Sequence, residues 1–160
     1  MSGAEPTNRE DRGVLEDLDR QIVSLLSADG RMSYTDLGRE TGLSVSAVHQ
    51  RVRRLEQRGV IQSYAARIAP EQVGLPLTAF VSLKPINPAS GDDAPEKLAH
   101  LDAIEECHSV AGEENYILKV RVGGPAQLES LLREIRAVAG VNTRTTVVLS
   151  TAYEGRPPRV

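Results

Sequence analysis

Only one cysteine, Cys107, occurs in the 160 residues. A single thiol excludes an internal disulfide framework and fits a reducing compartment, the cytoplasm. No apolar run approaches the roughly 18–20 residues that a membrane-spanning helix needs. The opening MSGAEPTNREDRG has no apolar centre, so it is not a secretory signal, and residues 1–14 read as a disordered arm. Metal chemistry is short of ligands, because one cysteine and three scattered histidines give no four-ligand zinc spacing. A Gly-rich phosphate loop and a nucleophile motif are missing as well. No cofactor, metal site or catalytic residue is therefore expected. Internal repeats and low-complexity segments are absent. What is left has the composition of a soluble protein, 40% hydrophobic and 26% charged with a net charge of −3. The length suits one domain or two small ones.

The hydrophobic period changes near Gly59. Before it, Leu15, Leu18, Ile22, Leu25 and Leu26 form a helical stripe, with Asp17 or Asp19 near the helix start. Ser33-x-x-Asp36 has the form of a capping box for a short second helix, which carries Leu37 inward and ends at Gly42. Ser44 caps a third helix to about Arg58, and Gly59 ends it. Short helices joined by a Gly-containing turn make a helix-turn-helix over residues 15–59.

After Gly59 the period is mostly two. VIQSYAARI reads as a strand, and residues 60–75 as a strand-bearing hinge. LTAFVSLK places Leu77, Ala79, Val81 and Leu83 on one face, and residues 85–95 read as a loop. A helix follows from about Ala94 to Leu101, and IEECHSVAG is a strand. NYILKVRV sets Tyr116, Leu118, Val120 and Val122 opposite Asn115, Ile117, Lys119 and Arg121. Leu128, Leu131, Leu132 and Ile135 form a helical stripe, and VNTRTTVVLSTAY is a β-branched strand. The order βαββαβ predicts a ferredoxin-like unit over residues 76–154, with a tail at 155–160 and a fold class of α+β. Helices cover one face of such a sheet; a second copy of the sheet would cover the other.

The stretch TGLSVSAVHQRVRRLEQRGVI concentrates positive charge: four arginines against one glutamate between Ser44 and Gly59, in an acidic chain. On a helical wheel Val45, Val48, Val52 and Leu55 share one side. Ser46, Gln50, Arg54 and Gln57 lie opposite, flanked by Ala47 and Arg53, with Arg51 and Arg58 on one shoulder and His49 on the other. Arginine and glutamine pair with guanine and adenine edges in a major groove wide enough for a helix. Ser46, Gln50, Arg53 and Arg54 are the candidates for base or groove contact. Ser33, Ser44, Arg51 and Arg58 are the candidates for phosphate, with His49 beside them. A solvated arginine-rich face with arginine–glutamate pairs is the plain alternative. The capped helix and glycine turn just before it favour double-stranded DNA.

LDRQI, DGR, GLS, RVRRLEQRGVI and VAGEENYILKV fall in the order and spacing of the Lrp/AsnC (feast/famine) transcriptional regulators, which the chain resembles from about Leu15 to Tyr153. The resemblance implies a winged-type helix-turn-helix that binds DNA, a strand-bearing hinge, and a ferredoxin-like (RAM) domain that senses small molecules. It implies sheet-to-sheet homodimers that assemble to tetramers or octamers, and amino-acid effectors held at the C-terminal domains between dimers.

The family's effector loop reads Gly-x-x-Asp followed by an aromatic or apolar residue. Here it reads Gly112-Glu113-Glu114-Asn115-Tyr116, with an amide where the family has an acid. An amide holds an ammonium less strongly than a carboxylate. Either Glu113 or Glu114 supplies the charge, or binding is weak, or the effector is not an amino acid. The loop also reads as a plain glycine turn with its acids in solvent. Thr143, Thr145, Thr146 and Ser150 could line the same pocket, though strand propensity accounts for most of them; Thr145 is kept as the candidate. Cys107, on a strand, reads as a small buried hydrophobe.

Two other functions belong beside the regulator. Certain haem-precursor decarboxylases resemble this two-domain plan, but they need histidines placed in the second domain to handle the tetrapyrrole, and the two there, His100 and His108, show no evident pairing. An architectural protein that wraps DNA without an effector is the other, favoured by Asn115.

Overall fold

The computed structural model describes residues 15–87 and 92–160. The arm read over residues 1–14, and residues 88–91 of the loop, lie outside the described part. The chain divides into two compact units. One runs to Ala66 and includes Gly155–Val160; the other is Arg67–Glu154. The division falls inside the segment read as a hinge, and residues 155–160, read as a tail, group with the first unit.

The first unit holds α1 (Asp17–Ala28), α2 (Tyr34–Thr41) and α3 (Val45–Gln57). Its helix starts follow side-chain chemistry. Ser33 Oγ accepts from Asp36 N at 3.1 Å and donates to the Asp36 carboxylate at 2.6 Å. Ser44 Oγ accepts from Ala47 N at 3.3 Å. Gly42 closes α2 at φ +71°, a left-handed conformation that glycine adopts without strain. Ile22, Leu26, Leu37, Val48, Val52 and Leu55 are buried together, each contributing roughly 1.5–3 kcal/mol against exposure. Asp17 and Asp19 both lie in the first turn of α1, where the helix dipole favours acids. Neither caps it: Glu16 is the N-cap residue and makes no side-chain capping bond.

The strand expected over VIQSYAARI does not form; among the described residues, 60–69 carry no regular structure and pair with no strand. A strand needs a neighbour for its N–H and C=O groups, and periodicity cannot show whether one exists. The described part of this unit therefore has no wing strand. A short 3₁₀ turn, Pro70–Val73, follows in the second unit.

The second unit is built from β1 (Leu77–Pro85), α4 (Ala94–Leu98), β2 (Ile104–Ser109), β3 (Tyr116–Val122), α5 (Pro125–Ala139) and β4 (Val141–Val147). Its antiparallel sheet has the order β2-β3-β1-β4, the ferredoxin-like arrangement expected from βαββαβ. Ala79, Val81 and Leu83 sit opposite Val120, Leu118 and Tyr116, and all are buried with Leu98, Leu128, Leu131 and Ile135 of the helices. The other face carries Phe80, Ser82, Ile117, Lys119 and Arg121, in the alternation that a half-covered strand requires. Helix α4 is shorter than expected, ending at Leu98.

Gly38 is the tightest point of the helix-turn-helix. A Cβ there would lie 2.7 Å from the Leu43 carbonyl oxygen, a backbone atom that cannot swing aside. Gly38→Ala should destabilise the first unit by about 1–3 kcal/mol through forced backbone shifts, against alanine's helix advantage of about 1 kcal/mol. Gly112→Ala, where a Cβ meets nothing within 4 Å, is the control. Urea unfolding followed by far-UV circular dichroism checks both; a neutral or stabilising Gly38→Ala would refute the packing argument.

Candidate nucleic-acid interface and effector cleft

Helix α3 turns its apolar side inward through Val48, Val52 and Leu55, all fully buried. Ser46, Gln50, Arg53, Arg54 and Gln57 are exposed, as the wheel places them; Val45, expected inward, is 49% exposed. Gln50, Arg53 and Arg58 make no side-chain hydrogen bond or ion pair among the described residues. Ser33 and Ser44 are engaged in capping, and Ser44 Oγ also lies 3.1 Å from Ser46 Oγ. His49 meets the Tyr34 ring edge-on, at 5.4 Å between centroids.

Arg51 and Arg54 stand apart from the other arginines. Arg51 Nη1 donates to Asp19 Oδ1 at 2.7 Å and to Glu16 Oε2 at 2.9 Å, while Arg54 Nη2 donates to Asp19 Oδ2 at 2.8 Å. Asp19 is wholly buried, and the Arg51 side chain is only 24% exposed. Burial alone would raise the Asp19 pKa, but the hydrogen bonds and charges of Arg51 and Arg54 outweigh it and hold the carboxyl below its ordinary value. Sequence reasoning missed this link from α1 to α3. Its signal was available: Leu15, Asp19, Ile22 and Leu26 share one helical face, and an acid on an apolar face needs a buried partner.

In the second unit, a cleft of about 210 Å³ is lined by Ser82, Lys84, Glu113, Glu114, Asn142, Thr143 and Arg144. It brings both acids of the loop beside a lysine and an arginine, with Arg144 paired to Glu114. Gly112 is exposed with open space at its Cβ position. Asn115 uses its backbone, donating from N to Leu83 O at 2.9 Å and accepting from Val110 N at 3.0 Å. The other candidates do not converge on this cleft. Tyr116 is buried in the helix-side core, and Thr145 sits opposite Val81 on that same side of the sheet. Period two dictates both placements, which grouping the residues by loop proximity overlooked.

Cys107 is exposed, not buried as expected. It lies opposite Leu118 on edge strand β2, beyond which no further strand pairs among the described residues. Partial burial and nearby Glu96 push its thiol up, away from a reactive thiolate. His100 lies 3.9 Å from Glu134 of α5 on the helix layer, while His108 meets Glu106 at 3.0 Å. His108 is opposite Ile117, on the open face, so the two histidines lie on different sides of the sheet.

That open face also carries a charge network absent from the sequence reading. Lys119 Nζ meets Glu105 and Glu106 at 3.3 Å and pairs with Glu154; Arg121 Nε meets Glu105 at 2.6 Å. Burial would lower the Lys119 pKa, but the three carboxylates raise it above the usual lysine value.

Comparison with known proteins gives matches in both units. The family model of the AsnC-type helix-turn-helix domain matches residues 15–56, and that of the Lrp/AsnC ligand binding domain matches residues 78–158. The chain is 54% identical over 143 residues to the HTH-type transcriptional regulator LrpA of Mycobacterium tuberculosis, covering 89% of this chain and 95% of that protein. A feast or famine regulatory protein of M. tuberculosis solved with L-methionine is 52% identical at a TM-score of 0.89, over 92% of this chain and 100% of that one. A transcriptional regulator of Neisseria meningitidis, also solved with L-methionine, is 27% identical at a TM-score of 0.81, over 91% and 97% of the two chains.

The Asp19 cluster has a pH signature. A carboxyl held below its unfolded pKa stabilises the folded state above that unfolded value, near pH 4, and loses the contribution as pH falls through the folded value. Asp19→Asn should lower the stability of the first unit by roughly 3 kcal/mol at neutral pH, as expected for breaking a buried pair. The gap between wild type and variant should stay constant down to about pH 5 and close below about pH 4. Thermal unfolding across pH measures it, and a gap that persists in acid would refute an ionised Asp19.

Proposed function

Because the chain belongs to the Lrp/AsnC family of transcriptional regulators, we propose that α3 reads duplex DNA sequence-specifically and that the second unit binds an amino acid. The family is one of regulators, not enzymes, and the chain has its DNA-binding and its ligand binding domain. The observation that carries the DNA reading is the division of α3: every buried position is aliphatic, while Gln50 and Arg53 stand exposed without partners among the described residues. Ser46 joins them in the groove. Arg58, with Arg51, Ser33, Ser44 and His49 nearby, faces the backbone phosphates; Arg54, read from the sequence as a groove contact, joins them because it is tied to Asp19.

A free amino acid is a zwitterion, and the cleft beside the β2–β3 loop offers both signs of charge. Lys84 and Arg144 suit its carboxylate, and Glu113 suits its ammonium, in place of the acid that Asn115 lacks. Gly112 lets a ligand approach the backbone. The L-methionine bound to the M. tuberculosis relative supports this class of effector. The protein acts in the cytoplasm, where its DNA target lies; no helix among the described residues is long and apolar enough to cross a membrane. Its open sheet face, with Phe80 42% exposed, suits a second copy, giving a homodimer that assembles to a tetramer or octamer. Two-fold symmetry then implies half-sites about one helical turn apart, roughly 34–36 Å.

Gln50→Ala should narrow the preference for a selected duplex over its scrambled counterpart. Arg58→Ala should weaken both alike and reduce the salt slope by about 0.9 for one lost phosphate contact. Anisotropy titrations at several salt concentrations test this; identical behaviour of the two variants would refute the division of roles.

For the effector, saturating L-methionine should raise the melting temperature by several degrees through mass action. Lys84→Ala and Gly112→Val should keep the ligand-free melting temperature and abolish the rise. If none of the twenty amino acids shifts the melting temperature, the architectural reading replaces the regulated one.

A further inference from the structure

Four arginines lie on or just beyond α3, but the structure divides them by where their guanidinium groups are held. Asp19 has no solvent exposure, and each of its carboxylate oxygens receives one arginine: Oδ1 from Arg51 at 2.7 Å and Oδ2 from Arg54 at 2.8 Å. Arg51 and Arg54 are one turn apart, so their side chains reach the same flank of α3. There they border a concavity of about 430 Å³ together with Leu43, Ala47 and Gln50. Resting on the DNA-facing reading of α3, we infer that Asp19 is a positioning residue that fixes Arg54, with Arg51, as a seat for one backbone phosphate, leaving base recognition to Ser46, Gln50 and Arg53.

The physical reason is the burial of Asp19. For Arg54 to extend to the floor of a groove, its guanidinium must leave a carboxylate that has no water to replace it. Arg51 would keep Oδ1, but Oδ2 would be left buried and unsatisfied on a charged group, which is strongly disfavoured. Arg54 therefore stays at the seam between α1 and α3. Its side chain is nevertheless 45% exposed, and a guanidinium carries five N–H donors in a rigid fork. The donors not used by Asp19 point a fixed positive edge outward, which suits a phosphate at a fixed distance from the helix axis. Glu16, 62% exposed, lies 2.9 Å from Arg51 Nη1 and 3.8 Å from Arg54 Nη2 on the same flank, and as the exposed acid it is the one that gives way to the phosphate as DNA arrives. Arg53, one residue away, has no such tether among the described residues. With Ser46, Gln50 and Gln57 it follows the 4-3-4 spacing of a single helix face, so it is the arginine free to follow base edges.

The test uses the full-length protein, a duplex that the wild type enriches from a random library, and the same duplex scrambled. Affinities are measured across salt, at a temperature where circular dichroism shows every variant folded. Arg54→Ala is expected to weaken both duplexes by one common factor, leaving their ratio within about two-fold of wild type and the salt slope lower by about 0.9. Arg53→Ala is expected to reduce the ratio about ten-fold, the scale of one lost base contact. Asp19→Asn is expected to shrink the Arg54→Ala penalty at least about three-fold, a coupling in which the charge change of Asp19 itself cancels. A merely structural Asp19 would lower the melting temperature and leave that penalty unchanged. A ratio that collapses with Arg54→Ala, or a penalty equal in both backgrounds, overturns the inference while leaving α3 as the DNA helix. Wild-type protein that binds neither duplex, or enriches no sequence, overturns the base-reading α3 and the seat with it.

Discussion

A charge taken out of water must meet its opposite at hydrogen-bond distance, and each unit of this protein is organised around one such meeting. In the first, Asp19 lies between α1 and α3 with both oxygens satisfied by arginines. In the second, Lys119 is 8% exposed on the sheet's open face, among Glu105, Glu106 and Glu154. Aliphatic packing alone tolerates small slips of one helix against another, because Val, Leu and Ile contacts are not directional. A buried carboxylate does not tolerate them: moving α1 by one turn would strand Asp19 away from both arginines. The clamp therefore sets the register of α3, and with it which side chains leave the surface and where.

Most of the architecture was legible because it depends on short-range rules. Ser33 and Ser44 capped the helices they precede, Gly42 and Gly59 took positive φ at +71° and +70°, and the period-two runs of β1 and β3 placed the right residues inward. The failures depended on something beyond local sequence. VIQSYAARI has the composition of a strand, yet no described strand lies alongside to pair with it. Cys107 has the preference of a buried residue, but its strand is at the edge. Tyr116 and Thr145 are close in sequence or register to the β2–β3 loop, and pleating turns them to the helix side of the sheet, away from the side chains of Lys84 and Arg144. Pairing, edge position and face are properties of the assembled sheet.

The concentration of positive charge on one helix of an acidic chain has a divided explanation. Part of the positive charge of α3 is matched by acids at the start of α1, through pairs between helices rather than the solvated arginine–glutamate pairs along α3 of the plain reading. The remaining charge, on Arg53 and Arg58, belongs to solvent or to DNA. This division suits a regulator. Phosphate attraction grows with every unpaired cation, and with it the non-specific binding that competes with a target site. On the proposed reading, pairing two arginines internally reduces that background while keeping Arg54 in place for a phosphate.

The two units use matched charge for opposite ends. In the first, pairing is deep and both partners belong to the chain, so it is a fixed element. In the cleft of the second unit, the Arg144–Glu114 pair joins an arginine whose side chain is 73% exposed to a glutamate of the β2–β3 loop. The glutamate end is 18% exposed and the arginine end open to water, so on the proposed reading a ligand that brings its own carboxylate and ammonium would engage Arg144 from the solvent side. Drawing an arginine away from Asp19 would leave a buried carboxylate oxygen unsatisfied. Exposure of one partner thus sets the Arg144–Glu114 pair apart from the fully buried Asp19 carboxylate, and on the proposed effector reading it is the pair that a small zwitterion would open.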